Sequence, residues 1–128
     1  MQYFLIFIFS AVSVSSIAEE YFLEIEKACS SSSSGLNFEC EAKKDRQLIF
    51  SENGKWYGRN PDNIRELSIV KSDDYILVLE NPVYFSGTDR IHLLKATGKF
   101  YWSQFAYSEV LEESEAHVKY GSIVKVEK

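Results

Sequence analysis

From Tyr21 onward, apolar and polar residues alternate with a period of two, the pattern of strands with one buried and one wet face. Tyr21, Leu23 and Ile25 alternate with Glu24 and Glu26, and Leu36, Phe38 and Cys40 alternate with Asn37 and Glu39. The stretch between them, Ser30 to Ser34 with Gly35, reads as a hairpin loop. Leu48-Ile49-Phe50 and Trp56-Tyr57 flank Asn53-Gly54, a dipeptide that tolerates the positive φ angles of a type I′ turn and so marks a hairpin. Asn60-Pro61-Asp62-Asn63 marks a longer connection. Leu67 to Lys71 and Tyr75 to Leu79 pair around Ser72-Asp73-Asp74, and Asn81-Pro82 ends that unit. Ile91 to Lys95 and Lys99 to Tyr107 are joined by Ala96-Thr97-Gly98, and a last strand runs from about His117 to Val126.

Hairpins in succession pair locally, so the expected fold is all-β, an antiparallel meander of about eight strands. That many strands form a small sandwich or a small barrel, and closure has the edge because it leaves no strand unpaired. Local pattern does not separate the two. Ser108 to Ala116 is the one stretch with helical spacing, from Tyr107, Val110 and Leu111 with Ser108 as a cap. A short helix near 108–115 and a charged loop through Glu109, Glu112, Glu113 and Glu115 fit it equally.

Ahead of the strands, Tyr3 to Phe9 is unbroken apolar and aromatic, and the apolar character continues through Ala11, Val12 and Val14. Such a stretch matches the core of a secretory signal and is shorter than the roughly 20 residues a helix needs to span a bilayer. Ser16-Ile17-Ala18 supplies small residues where signal peptidase requires them, with Glu19 and Glu20 beyond. The expected division is therefore a signal peptide over 1–18 and a single β domain over 19–128. The pattern departs from the usual one in lacking a Lys or Arg before the apolar core. No Cys near the cleavage site offers a lipid attachment point.

Composition narrows the partners. The formal charge is −5, and residues 1–18 carry none of it. An acidic domain without a basic run is unsuited to nucleic acid or to anionic membrane surfaces, and any partner steered by charge is expected to be cationic. Cys29 and Cys40 are the only cysteines, and in an exported chain such a pair reads as a disulfide. Their spacing is not that of a Cys-x-x-Cys redox motif.

Candidate chemistry is sparse. His92 and His117 are the only histidines, and His92 alternates onto the outer face of its strand. A nucleophilic Ser needs a neighbouring base and an orienting third group, and no Gly-x-Ser-x-Gly elbow is present. Carboxylates are abundant, but sequence does not identify a pair at the separation of about 5–10 Å that glycoside hydrolysis uses. The aromatics are more suggestive. Trp56-Tyr57 and Phe100-Tyr101-Trp102, with Phe105 and Tyr107, concentrate rings in two hairpins. One face of residues 99–107 must enter the core, and the other then exposes rings to a ligand or a protein.

Two resemblances bear on this. Ile91 to Trp102, a strand running through Thr97-Gly98 into an aromatic strand, resembles a hairpin of small exported bacterial proteins of unknown function. In those a Gly-x-Cys segment follows, and here Gly121-Ser122-Ile123 puts Ile123 in place of the cysteine. Ser86-Gly87-Thr88-Asp89-Arg90 resembles the loop that periplasmic inhibitors of c-type lysozyme insert into the enzyme cleft. That resemblance implies a small acidic β-barrel acting on a cationic protein.

The resulting expectation is a secreted or periplasmic, non-enzymatic binding protein whose partner is a protein or small ligand. Binding is expected at Trp56, Tyr57, Tyr101, Trp102, Ser86 and Gly87. No metal, cofactor, nucleic acid or membrane insertion after signal cleavage is expected. Lysozyme inhibition and a carboxylate-based hydrolase are the alternatives.

Overall fold

A computed structural model describes residues 17–31, 38–60, 62–82, 87–108 and 113–126. All but the last two residues of the expected signal peptide lie outside these. The described chain forms eight strands: β1 (Ile17–Ser31), β2 (Phe38–Glu52), β3 (Lys55–Arg59), β4 (Ile64–Ser72), β5 (Ile76–Glu80), β6 (Gly87–Leu94), β7 (Lys99–Ser108) and β8 (Glu113–Lys125). Each pairs antiparallel with its neighbour in sequence, and β8 pairs with β1 to close a barrel. The meander is present, and the choice between sandwich and barrel falls to the barrel.

The turn signals act where the sequence places them. Asn53 and Gly54 take φ of 54° and 80°, and Glu52 faces Lys55 across the turn. Gly98 has φ of 68° in the β6–β7 connection. Two segments depart from expectation. The described part of the second alternation, Phe38 to Cys40, and the apolar run at 48–50 belong to one long strand, β2, paired to β1 from Glu52 to Phe38 with an irregularity between Ile25 and Lys27. The strand runs on through Lys43-Lys44-Asp45-Arg46, of which Asp45 and Arg46 pair with β1, where no apolar alternation announces it. The stretch 108–115 is no helix at its described ends, because Ser108 pairs with Glu113 and Tyr107 with Ser114. Residues 109–112 lie outside the described residues.

Eight strands enclose an interior just wide enough for side chains to fill it or for one small ligand. Here the two ends differ in what lines them. One end has the tight connections at 53–54, 73–75 and 95–98, and its interior is apolar: Leu23, Ile49, Leu79 and Phe100 have essentially no exposed surface. Ile25, Trp56, Leu67, Leu77, Ile91 and Leu93 complete the packing. Each such side chain contributes about 1.5–3 kcal/mol by leaving water. The other end has the connections at 32–37, 60–63, 81–86 and 109–112, and there the inward face turns polar.

Gly121 is fixed by close approach. It faces Phe100 on one side and Ile25 on the other, and a Cβ there would lie 1.9 Å from the Glu24 carbonyl oxygen. The β1 irregularity presses the backbone of β1 against β8 at that point. The disulfide joins Cys29 and Cys40, directly opposed in the β1–β2 register. It holds together the two strand ends that wall the polar mouth, and it is consistent with folding in an oxidising compartment.

Candidate functional site

Inward-facing positions follow from alternation and register. On β6, Asp89, Ile91 and Leu93 share a face, and on β7 Phe100, Trp102 and Gln104 do. Register sets Trp102 opposite Lys119 and Gln104 opposite His117, so β8 sends those side chains into the same interior. On β4, Arg65 lies two residues before the buried Leu67 and faces Gly58 of β3.

The deepest polar group is Asp89, only 2% exposed. Its Oδ1 accepts a hydrogen bond from the Trp102 Nε1–H, and Asn81 Nδ2 stands 3.5 Å from its Oδ2. The Asn81 backbone N–H also donates to the Asp89 carbonyl at 2.9 Å. A buried indole N–H and a buried carboxylate each require a partner, and here they supply one another. This arrangement fixes the Trp102 ring, which is itself 4% exposed.

Above that ring sits Lys119, its Nζ 4.9 Å from the ring centroid. A cation over an indole face gains about 0.5–2 kcal/mol, more as water is excluded. The Lys119 ammonium is nevertheless held below the usual lysine range, first by burial and then by the positive charge of Lys43. Asp89 and Asp45 pull in the opposite direction, and Arg65 adds to the lowering. Among the described residues, no carboxylate lies within 4.0 Å of Lys43, Arg65 or Lys119. The Arg65 Nε is buried without a hydrogen-bond partner.

Of these groups, Lys43 and Lys119 border a cavity of ≈ 490 Å³ lined also by Ala28, Ser30, Glu39, Glu41 and His117, with the disulfide in its wall. His117 Nε2 lies 3.4 Å from Glu115 Oε2 at the rim. Ser30 and His117 are register partners, yet no hydrogen bond joins them, and a nucleophile needs that link to its base. The chamber suits a ligand with polar or charged groups.

The residues singled out from sequence do not form one site. Trp56 is buried in the apolar end, stacked on Tyr21 at 6.0 Å between centroids. Trp102 is buried in the core, with Lys119 of the mouth over its ring. Tyr57 lies on the outside against Phe50, and Tyr101 lies on the outside beside Tyr120. Tyr101, Phe105 and Tyr107 are each 48% exposed, so one face of β7 does present rings to solvent. Gly87 opens β6, where a Cβ would lie 1.7 Å from the Phe105 carbonyl oxygen. Thr88, Asp89 and Arg90 continue that strand rather than a loop, and Ser86 lies outside the described residues. Sequence reasoning passed over Asp89, Lys119, Arg65 and Lys43. A signal existed: Asp89 keeps step with Ile91 and Leu93, and Lys119 with Gly121 and Ile123.

Fold and site together define an eight-stranded up-and-down barrel with a packed apolar base and a charged, open mouth. No family model, curated protein or solved structure matches this chain.

Proposed function

We propose that the chain is an exported, non-enzymatic binding protein, secreted or periplasmic, that takes a small ligand into the mouth of its barrel. The observation that carries this reading is the contrast between the two ends. The base offers an apolar opening of ≈ 260 Å³ among Tyr21, Leu77, Leu93 and Ile123, whereas the mouth holds a larger cavity of ≈ 490 Å³ bordered by Glu39, Glu41, Lys43, His117 and Lys119, which do not pair with one another. A cavity of that size is in the range of small-molecule sites, which combine apolar walls with a few placed polar groups. Lys43, Lys119 and His117 provide placed polar groups beside Ala28, Asp89 holds the Trp102 ring beneath Lys119, and the disulfide pre-orders one wall. Export accounts for the apolar N-terminal segment, the cleavage-like Ser16-Ile17-Ala18 and the oxidised cysteines together.

Native mass spectrometry of the protein recovered from its own compartment tests the proposal. The expected result is a bound species of small mass, released on denaturation and lost when Lys119 and Trp102 are replaced. Recovery of only the bare chain, together with a stable complex with another protein, would move the function to the outer surface.

A further inference from the structure

We infer that the ligand of the barrel mouth is a small organic anion, a carboxylate or a phosphate monoester, received by Lys43 and Lys119 in the cavity wall. The Arg65 charge is close enough to act on Lys119. The inference rests on the reading of the mouth as a binding site and adds the charge of its occupant.

Lysine and arginine are rarely drawn into an interior unless a carboxylate pairs with them, because unpaired charge is poorly solvated there. Three cations gather here, Arg65 and Lys119 half-buried and Lys43 exposed at the cavity wall, and none has a carboxylate within 4.0 Å among the described residues. They repel one another, since Lys43 and Arg65 both make the Lys119 ammonium easier to deprotonate. The nearest buried carboxylate, Asp89, is engaged by the Trp102 and Asn81 donors. Arg65 adds a buried Nε–H with no acceptor. The ammonium groups of Lys43 and Lys119, without carboxylate partners in the wall of an open cavity, are the complement of an anion, and a bound oxyanion relieves the repulsion among the three cations.

Two features oppose this and are outweighed. The chain as a whole is acidic, at −5, but that field acts at long range and is screened beyond about 8–10 Å in salt. Glu39 and Glu41 also line the cavity, on the same face of β2 and as exposed as Lys43, whereas Lys119 is half-buried and so holds the less solvated charge of the site.

Calorimetric titration of the purified, oxidised protein with benzoate, phenyl phosphate, benzamide and benzylamine tests the inference, because the four probes share a ring and differ in head group. Benzoate or phenyl phosphate is expected to bind saturably, with benzamide and benzylamine at least about tenfold weaker. The stronger of the two anions tells carboxylate from phosphate. Lys119→Gln is expected to weaken anion binding about tenfold, and Lys119→Arg to restore most of it, with circular dichroism unchanged. Because Lys119→Gln alters the interior, Lys43→Gln serves as a second variant at an exposed position. Amide shifts in NMR spectra are expected at residues 43, 65, 117 and 119. Benzamide or benzylamine binding in the mouth as tightly as the anions overturns the anionic assignment and leaves the binding site standing. Absence of anion binding at millimolar concentration, or anion shifts elsewhere on the surface, also overturns it. A protein recovered with no small molecule in the native experiment counts against the site itself.

Discussion

Removing the Cys29–Cys40 bridge has a magnitude that follows from its place in the chain. The two cysteines are 11 residues apart in sequence. In the chain-entropy treatment a loop of that length restricts the unfolded chain by about 9 cal/mol/K, or about 2.8 kcal/mol at 25 °C. The folded state loses little in return. Ser30 remains paired with His117, Ser31 Oγ accepts the Ala116 N–H at 3.0 Å, and both strands keep their ladder partners. Cys29→Ala/Cys40→Ala is therefore expected to destabilise the protein by about 3 kcal/mol. Urea unfolding followed by circular dichroism measures it. With m of about 1–3 kcal/mol/M, the midpoint falls by about 1–3 M, and m rises as the unfolded chain expands. Reduced wild-type protein supplies the control, since it loses the bridge without losing the sulfur atoms packed around the buried Cys29. A loss below about 1 kcal/mol with unchanged m would refute the reasoning. Hydrogen exchange would then be expected to accelerate only at residues 38–42, showing that the bridge restrains the strand tips alone.

Other substitutions probe other features. Asp89→Ala leaves the buried Trp102 N–H without its acceptor and is expected to cost about 1–3 kcal/mol in thermal denaturation, with red-shifted tryptophan emission; an unchanged melt would contradict the assigned hydrogen bond. Gly121→Ala drives a methyl into the β1 backbone and is expected to cost about 3 kcal/mol, whereas Gly54→Ala meets no atom within 4 Å and pays only for its positive φ, about 1–2 kcal/mol. Lys119→Met replaces a half-buried cation and is expected to stabilise the protein by up to about 1 kcal/mol at neutral pH. The folded state releases the Lys119 proton before the unfolded state does, so wild-type stability rises as pH climbs from that lowered value towards 10.5. The advantage of the variant should shrink over that window, and a constant difference between the two urea midpoints would exclude Lys119 as its source. Asp73, drawn below the usual carboxylate range by the Ile76 and Tyr75 backbone N–H groups, stabilises the β4–β5 turn above the ordinary carboxylate pKa. That contribution should vanish as pH falls through its depressed value, and Asp73→Ala should lose it at all pH.

The hairpins were legible because their determinants are local. Asn53-Gly54 and Thr97-Gly98 specify their turns by backbone preference alone, and alternation in residues 91–93 and 99–102 assigns faces without tertiary information. Closure was not legible, since it depends on β1 meeting β8, and no short-range pattern in residues 21–30 names a partner at 117–125. The continuity of β2 was hidden for a related reason. Lys43 to Arg46 carry no apolar alternation, yet Asp45 and Arg46 pair with β1, Lys43 and Lys44 span the irregularity, and Lys43 lines the mouth. The candidate site was obscured by residue type. Asp89 and Lys119 look like surface residues, and their burial is evident only when strand parity is carried from the apolar end of the barrel into the polar one. Aromatic residues drew attention instead, and the structure divides them among the base, the mouth and the outside.

The single pairing between distant segments has a kinetic consequence. Every strand meets its chain neighbour except at the seam, where residues 21–30 of β1 join residues 117–125 of β8. Local hairpins form in microseconds, but the seam awaits the last strand, and long-range closure carries the largest loop entropy. A chain delivered through a membrane with its N-terminus leading would hold β1 with one naked edge until its final residues emerge. During that interval the Cys29–Cys40 bridge, lying within one hairpin, can already form and keep β1 committed to β2 rather than to another chain. Truncation before β8 should therefore yield a species that pairs edge to edge and aggregates, rather than a barrel lacking one stave.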